Sequence, residues 1–302
     1  VSREIPVIFN PVAGRGRLLA RRPRLDRRAA ELGVTLRWLG TERPGHATLL
    51  ARECVERDGP LVLAYGGDGT YNEAAQGLLG SSTSLGMLPG GTSSVLAHEL
   101  EVPRPAEEAL EPLLAGEDRL MAVGRTDHDQ LFLMMVSSGP DAVVLERLSP
   151  GLKLRGGKAG IAAQAVVELA RGRLPRITVV DGEWRETGGW VIVGNIQCYG
   201  GPFRATPGAD PFGEFLEVVI QRSVGRAAAV PFFFAIPLGR HLRRRDVVRR
   251  TVRRVRLEPA PGQERVPYQL DGDPAGHLPV EVWVAPERLR VRVPRRAPGA
   301  SR

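Results

Sequence analysis

Lysine is almost missing from this chain: Lys153 and Lys158 are the only two in 302 residues, so 40 of the 42 basic residues are arginine. Against 34 acidic residues they leave a net charge of +8, which points to a polyanionic partner, either nucleic acid or an acidic membrane surface. Aromatic residues are also scarce, at 5%, and no stacking motif gathers them, so a nucleic-acid partner is not expected. Cysteine is limited to Cys54 and Cys198, far apart and without the spacing of a metal site or a disulfide framework, which suits a reducing cytoplasm. No apolar run approaches the roughly 20 residues that span a bilayer. The longest, Ala227 to Leu238, is interrupted by Pro231 and Pro237. The opening Val1-Ser2-Arg3-Glu4 has no signal-peptide core. The expectation is a cytoplasmic protein, at most peripheral on the inner face of a membrane. What the chain has in quantity is hydrophobic residues, 42% over a length that suits two domains.

Glycine-rich turns follow apolar runs four times in the first hundred residues. Ile5 to Phe9 reads as a strand, Asn10-Pro11-Val12-Ala13-Gly14-Arg15-Gly16 as a turn, and Leu18 to Leu32 as a helix. Val34 to Leu39 is a second strand, leading through Thr41 and His46 to a helix over Ala47 to Glu56. Leu61 to Ala64 is a third, running into Tyr65-Gly66-Gly67-Asp68-Gly69-Thr70 and a helical pattern from Glu73. Leu85 to Leu88 is a fourth, followed by Pro89-Gly90-Gly91-Thr92 and a further helix. Repeated strand-loop-helix units imply a parallel sheet whose loops gather along one edge, where backbone N–H groups and helix N-termini receive phosphates. Arg15 offers a guanidinium to such a phosphate, and Thr41 either a hydroxyl or a helix cap. Asp68 is an acid at a phosphate loop, which suits holding a metal or handling a proton rather than plain anion binding.

After the helix and hinge at Pro103 to Gly116 the texture changes. Leu120 to Val123 and Leu131 to Val136 flank a polar turn at Asp127 to Asp129, the pattern of an antiparallel hairpin. Ser138-Gly139-Pro140-Asp141-Ala142 then leads into a helical region, with Asp141 either a cap or a cleft residue. Ile161 to Arg171 is amphipathic, and strands are expected at Ile177 to Val180, Trp190 to Asn195, Phe215 to Ile220, Val280 to Val284 and Leu289 to Val293. This predicts a mainly antiparallel second domain beside the first, with a cleft between them. The apolar 227–238 stretch, with three consecutive phenylalanines, precedes an arginine run over 240–256. That pairing suits either an interfacial membrane element or a core segment followed by a solvated face.

Three motifs together carry a resemblance: Asn-Pro-x-x-Gly at 10–14, Gly-Gly-Asp-Gly-Thr-x-Asn-Glu at 66–73, and Pro-Gly-Gly-Thr followed by Val-Leu-Ala at 89–97. They resemble the diacylglycerol kinase catalytic domain family, which includes bacterial lipid kinases and the sphingosine and ceramide kinases. Asp271-Gly272-Asp273, late in the chain, resembles that family's Asp-Gly-Glu. Two positions depart from the pattern. Phe212 stands where relatives carry the Asp of a structural magnesium site, so that site is not carried over, and Ser94 stands where Asn is usual.

The resemblance implies an α/β protein with an NAD kinase/diacylglycerol kinase-like nucleotide-binding domain over residues 1–118 plus about 286–302. A β-rich lipid-substrate domain would occupy 119–285. It implies ATP with Mg²⁺ as cosubstrate and a lipid alcohol as acceptor. ATP would be held by Asn10, Gly14, Arg15, Thr41, Gly66, Gly67, Asp68, Gly69, Thr70, Glu73, Gly91 and Thr92. Asp68 and Asp271 would be the catalytic acids, Asp68 near the metal and Asp271 taking the hydroxyl proton, with Asp68 as the alternative base, the role it has in eukaryotic relatives of the family. An NAD kinase and a non-catalytic lipid-binding relative are the competing readings.

Overall fold

The computed structural model describes residues 3–12, 16–91, 93–147 and 174–295. Gly14, Arg15, Thr92 and the amphipathic 161–171 stretch lie outside the described residues. The chain divides into two compact units, Val1–Val123 with Pro286–Arg302, and Gly124–Ala285.

In the first unit, β1 (Arg3–Phe9), β2 (Val34–Gly40), β3 (Leu61–Gly66) and β4 (Ser84–Pro89) alternate with α1 (Arg17–Glu31), α2 (His46–Glu56) and α3 (Asp68–Leu78). The strands form a sheet in the order β2-β1-β3-β4, extended by the last strand of the chain, Leu289–Val293, and then by β5 (Glu117–Met121). All neighbours pair in parallel except β5, which is antiparallel to Leu289–Val293. Every residue of β3 and β4 is buried, because helices cover both faces of a parallel sheet; continuous apolar runs such as Leu61-Val62-Leu63-Ala64 are the sequence form of that burial. The register sets strand exits level: Phe9 lies opposite Gly40 and Tyr65, and Gly66 opposite Pro89. The loops that follow these strands therefore leave from one edge.

The second unit starts at β6 (Gly124–Thr126), which pairs with β7 (Leu131–Phe132). Next come β8 (Met135–Ser138), α6 (Pro140–Arg147), β9 (Ile177–Asp181), β10 (Trp184–Gly188), β11 (Trp190–Gly194), a short β12 (Cys198–Tyr199) and β13 (Phe203–Arg204) pair, and β14 (Leu216–Gln221). After α7 (Arg226–Ala235) follow β15 (Val247–Val252), β16 (Arg254–Pro259), β17 (Pro267–Leu270), β18 (Asp273–His277) and β19 (Val280–Val284). α4 (Val95–Glu99) and α5 (Ala106–Leu114) belong to the first unit. Two antiparallel sheets result, ordered β10-β9-β16-β19-β6-β7 and β15-β14-β11-β8-β17-β18.

The two sheets share a core in which Val179, Leu257, Val280 and Val282 of the first meet Val191, Val193, Val218 and Ile220 of the second. Strands of the first sheet alternate buried and part-exposed residues, as one-sided strands do, whereas β11 and β14 are buried on both faces. Their other face, with Trp190, Ile192 and Val219, is covered by Ala229 and Phe232 of α7 and by Ile236.

The expected parallel first sheet and antiparallel second half are what the structure has. Three local expectations are corrected. The turn at Asp127–Asp129 does close a hairpin, but its arms are Gly124–Thr126 and Leu131–Phe132. Leu120 and Met121 belong to the first unit's sheet and Met135 onward to a separate sheet. Thr41 does not cap α2, whose N-cap is Gly45 in a left-handed conformation, and the His46 ring accepts the Glu42 amide at 3.1 Å instead. The arginine run does not continue as a helix through 256: a helix ends at Ala235, and 247–252 and 254–259 are strands.

Candidate active site

The two glycine loops leaving β3 and β4 touch backbone to backbone. The Gly66 carbonyl accepts the amides of both Gly90 and Gly91 at 2.8 Å, and a Cβ built on Gly91 would lie 2.6 Å from the Gly67 Cα. Beneath them the buried Tyr71 hydroxyl lies 2.9 Å from the carbonyl oxygens of Gly66 and Leu88, its acidity suppressed by burial. A Cβ on Gly66 would collide with Thr70, 2.5 Å from Oγ1. Gly69 differs from its neighbours: it is exposed and nothing lies within 4 Å of where its Cβ would be. Packing within the described residues therefore explains Gly66 and Gly91, whereas a Cβ on Gly67 would make only an ordinary contact, 3.4 Å from the Gly91 Cα, and one on Gly69 none.

Asp68 opens α3 and points its carboxylate at the start of α4. Oδ2 accepts the Val95 amide and Oδ1 the Leu96 amide, both at 3.0 Å, satisfying donors that a helix N-terminus leaves open. Burial pushes its pKa up, and the two amides, its own amide and the Arg104 charge pull it back. Arg104, exposed, also donates to the Gly91 carbonyl at 2.9 Å. Sequence reading missed it because it lies outside every motif. Its one signal is position, in the short connection between α4 and α5. Ser94 takes left-handed angles, φ 46° and ψ 56°, which an asparagine tolerates better than a serine.

The remaining candidate residues of this unit have local partners. Asn10 Oδ1 accepts the Val12 amide at 3.0 Å, closing the Asn-Pro turn. Glu73 Oε2 accepts the Ala47 amide at 3.3 Å, and its carbonyl takes the Thr48 hydroxyl at 2.8 Å, tying α3 to the first turn of α2. Thr41 donates its amide to the Phe9 carbonyl at 2.9 Å, which holds the exit of β2 against that of β1.

In the second unit, Asp271 sits in a left-handed turn, φ 51°, with its carboxylate on the segment entering β8. Oδ2 accepts Leu133 N–H at 2.7 Å; Oδ1 accepts Met134 at 2.8 Å and Met135 at 2.9 Å. Gln269 Oε1 takes the Gly272 amide at 2.7 Å, and its Nε2 approaches Asp141 Oδ2 at 3.4 Å. Asp141 also accepts the Tyr199 hydroxyl at 2.7 Å; burial drives both pKa values up, and the donors around Asp141 oppose its shift. Asp273, two residues after Asp271, is exposed.

Among the described residues, no three His, Cys, Asp or Glu side chains converge on a metal site. The carboxylate at the two loops is that of Asp68, both of whose oxygens accept main-chain amides. Near Phe212, Asp210 Oδ1 is turned back to the Phe212 amide at 3.1 Å, and Glu214 pairs with Arg253.

Comparison with known proteins fits this geometry. Residues 4–126 match the family described as the diacylglycerol kinase catalytic domain, and residues 134–293 match the YegS C-terminal NAD kinase beta sandwich-like domain. A diacylglycerol kinase of Mycobacterium tuberculosis (strain ATCC 25618 / H37Rv) is 26% identical over 300 residues, covering 97% of this chain and 96% of that protein. The diacylglycerol kinase of Bacillus subtilis (strain 168) is 23% identical, covering 96% of each. A crystal structure of a diacylglycerol kinase from Bacillus anthracis str. Sterne overlays with a TM-score of 0.71 at 19% identity, covering 97% of both chains; that likeness is one of fold.

Proposed function

The chain belongs to the diacylglycerol kinase catalytic domain family, which supports lipid kinase activity in broad terms, and from that premise we propose that it transfers the γ-phosphoryl group of ATP to the hydroxyl of a diacylglycerol-like or sphingoid lipid. The observation that carries this reading is the pair of glycine loops in backbone contact at the carboxyl edge of a parallel sheet, with the fold-independent Gly69 in the first turn of α3 beside them. Phosphates bind where backbone comes close and helix N-termini converge.

Phosphoryl transfer needs positioning, charge neutralisation and a base within reach of the acceptor hydroxyl. Asn10, Thr41, Gly66, Gly67, Gly69, Thr70 and Gly91 shape the loops that position the nucleotide, with Gly14, Arg15 and Thr92 completing them. Glu73 holds the helix behind them in place. Arg104 adds a guanidinium to phosphate binding. Mg²⁺, when bound, offsets charge on the phosphates, and Asp68 is the residue that would face it. Asp271 serves as proton acceptor, its carboxylate held in place by three main-chain amides. Those same bonds favour a second assignment, in which Asp271 positions the turn and Asp273 takes the proton.

The test is transfer of labelled phosphate from ATP to diacylglycerol, monoacylglycerol, sphingosine and NAD by the full chain. Asp68→Asn, Asp271→Asn and Asp273→Asn serve as variants, each checked for its melting temperature. Lipid labelling abolished by Asp68→Asn is expected. Loss on Asp273→Asn, a residue that is not the acceptor of the three amides, assigns the base to Asp273; retention there with loss on Asp271→Asn assigns it to Asp271. Labelling of NAD alone, or lipid labelling that survives all three substitutions, overturns the proposal.

A further inference from the structure

Helix α7 breaks the rule for surface helices. Its inward positions Ala229 and Phe232, with Ile236 beyond its end, are at most 4% exposed and pack on Trp190, Ile192 and Val219. An amphipathic helix turns polar side chains to water on its other face. Here Ala227, Pro231, Phe233 and Phe234 are exposed, followed by Pro237 and Leu238, and no charged residue occurs between Arg226 and Arg240. Phe233 is 49% exposed, Phe234 62% and Leu238 67%. The two phenylalanine rings meet edge to face at 5.5 Å, and Phe233 stacks on Trp190 with centroids 6.4 Å apart, which sets its direction from the core.

The charges nearby separate into two groups. Arg249, Arg250, Arg253 and Arg254, on and after the edge strand β15, are paired with Glu217, Asp181, Glu214 and Glu281. They blunt a sheet edge and leave little net charge for a distant partner. Arg240, Arg243 and Arg245 are exposed and have no ion pair among the described residues; Asp246 is bound by Arg244 instead. The cations that directly follow the apolar stretch in the chain are therefore the unneutralised ones, and those on and after β15 the neutralised ones.

We propose that α7 and the turn after it form a docking surface for an anionic phospholipid bilayer, with Phe233, Phe234 and Leu238 entering the acyl boundary and Arg240, Arg243 and Arg245 meeting headgroups. Exposed aromatics beside unpaired arginines match an interface that is apolar below and anionic above. A protein partner would be expected to present acids in fixed places, whereas a bilayer supplies them along the whole rim. The inference deepens the lipid-kinase reading and rests on it for its purpose, since a bilayer is where such an acceptor resides; the measurement itself does not require turnover.

The experiment is co-sedimentation of the full chain with vesicles of phosphatidylcholine alone and of phosphatidylcholine mixed with phosphatidylglycerol. It compares wild type, Phe233→Ser/Phe234→Ser and Arg240→Gln/Arg243→Gln/Arg245→Gln, all with melting curves. Wild type is expected to pellet with the anionic vesicles only. The arginine triple variant should partition roughly a hundredfold more weakly, and the phenylalanine pair at least about tenfold more weakly. Both variants should still melt cooperatively, the phenylalanine pair at a somewhat lower temperature for loss of the Phe233–Trp190 stack, and both should keep wild-type phosphorylation of a water-dispersed short-chain acceptor. Equal pelleting with neutral vesicles, no pelleting of the wild type, or pelleting unchanged by either variant overturns the proposal. So does a wild-type dimer that the phenylalanine pair dissociates without any vesicle binding. Absence of short-chain phosphorylation in the wild type, with the sedimentation results as expected, supports docking and removes the kinase reading alone.

Discussion

Asp271 and Leu133 are joined across 138 residues of chain by a 2.7 Å hydrogen bond in which the Leu133 amide donates to Oδ2. With Met134 and Met135 donating to Oδ1, the carboxylate spends both oxygens on one stretch of backbone. An asparagine cannot replace it, because its amide nitrogen must face at least one N–H donor. Asp271→Asn is expected to lower unfolding free energy by about 1–3 kcal/mol, the cost of a buried donor left without an acceptor. Urea denaturation checks this, and a variant as stable as the wild type would show that the three bonds are dispensable.

The pH dependence of stability isolates Asp141. Its pKa in the folded state is raised, chiefly by burial, so its contribution favours folding while it is protonated and is lost as pH rises from the unfolded value, about 4, through the folded one. Asp141→Asn removes that titration. The variant should therefore gain stability relative to wild type as pH rises from about 4 to neutrality. Denaturation series at several pH values measure the difference. Tyr199→Phe acts in the opposite sense by removing a donor to the same carboxylate, and should cost about 1–2 kcal/mol at neutral pH.

How much of this was legible beforehand differs by element. The first sheet could be read because Leu61–Ala64 and Leu85–Leu88 are continuous apolar runs ending in glycines, a pattern that survives without any tertiary information. Helix α3 begins at Asp68, five residues before the helical pattern at Glu73, because Gly69 and Thr70 are poor helix formers that the first turn tolerates. The Leu120–Val136 hairpin was misread for a different reason: the partner of β5 is Leu289–Val293, and local alternation carries no trace of a strand that distant. The site divides along the same line. Asp68 and Asp271 were identifiable as acids beside glycines, but both carboxylates are held by main-chain amides, and an amide donor has no sequence signature. The arginines of 249–254 looked like a positive face because their acidic partners, Asp181 and Glu217 among them, come from other strands.

Arg104 gives a kinetic prediction. Its guanidinium donates to the Gly91 carbonyl and its charge acts on Asp68, yet it is exposed and supports little packing. Arg104→Met should change stability by no more than about 1 kcal/mol, because exposed charge contacts are weak. If it meets the nucleotide, the same variant should raise the KM for ATP by about tenfold, a loss of the order of one charge-assisted hydrogen bond. Steady-state kinetics at saturating lipid separate KM from kcat; an unchanged KM would confine Arg104 to holding the loop.

Gly69 and Gly91 offer the sharpest contrast between a glycine the fold needs and one it does not. A methyl at Gly91 would sit 2.6 Å from the Gly67 Cα, a backbone atom that no rotamer change can move, so Gly91→Ala must part the two loops and should cost about 1–3 kcal/mol. A methyl at Gly69 meets nothing within 4 Å, and alanine suits a helix better than glycine, so Gly69→Ala should stabilise by up to about 1 kcal/mol. If ATP phosphates fill that open space, the stabilised variant should bind nucleotide worse, with higher Tm and higher KM together. Calorimetry and ATP titration on the same preparation would reveal the pair of changes. A Gly69→Ala protein that gains stability and keeps its ATP affinity would place the phosphates elsewhere than on this turn.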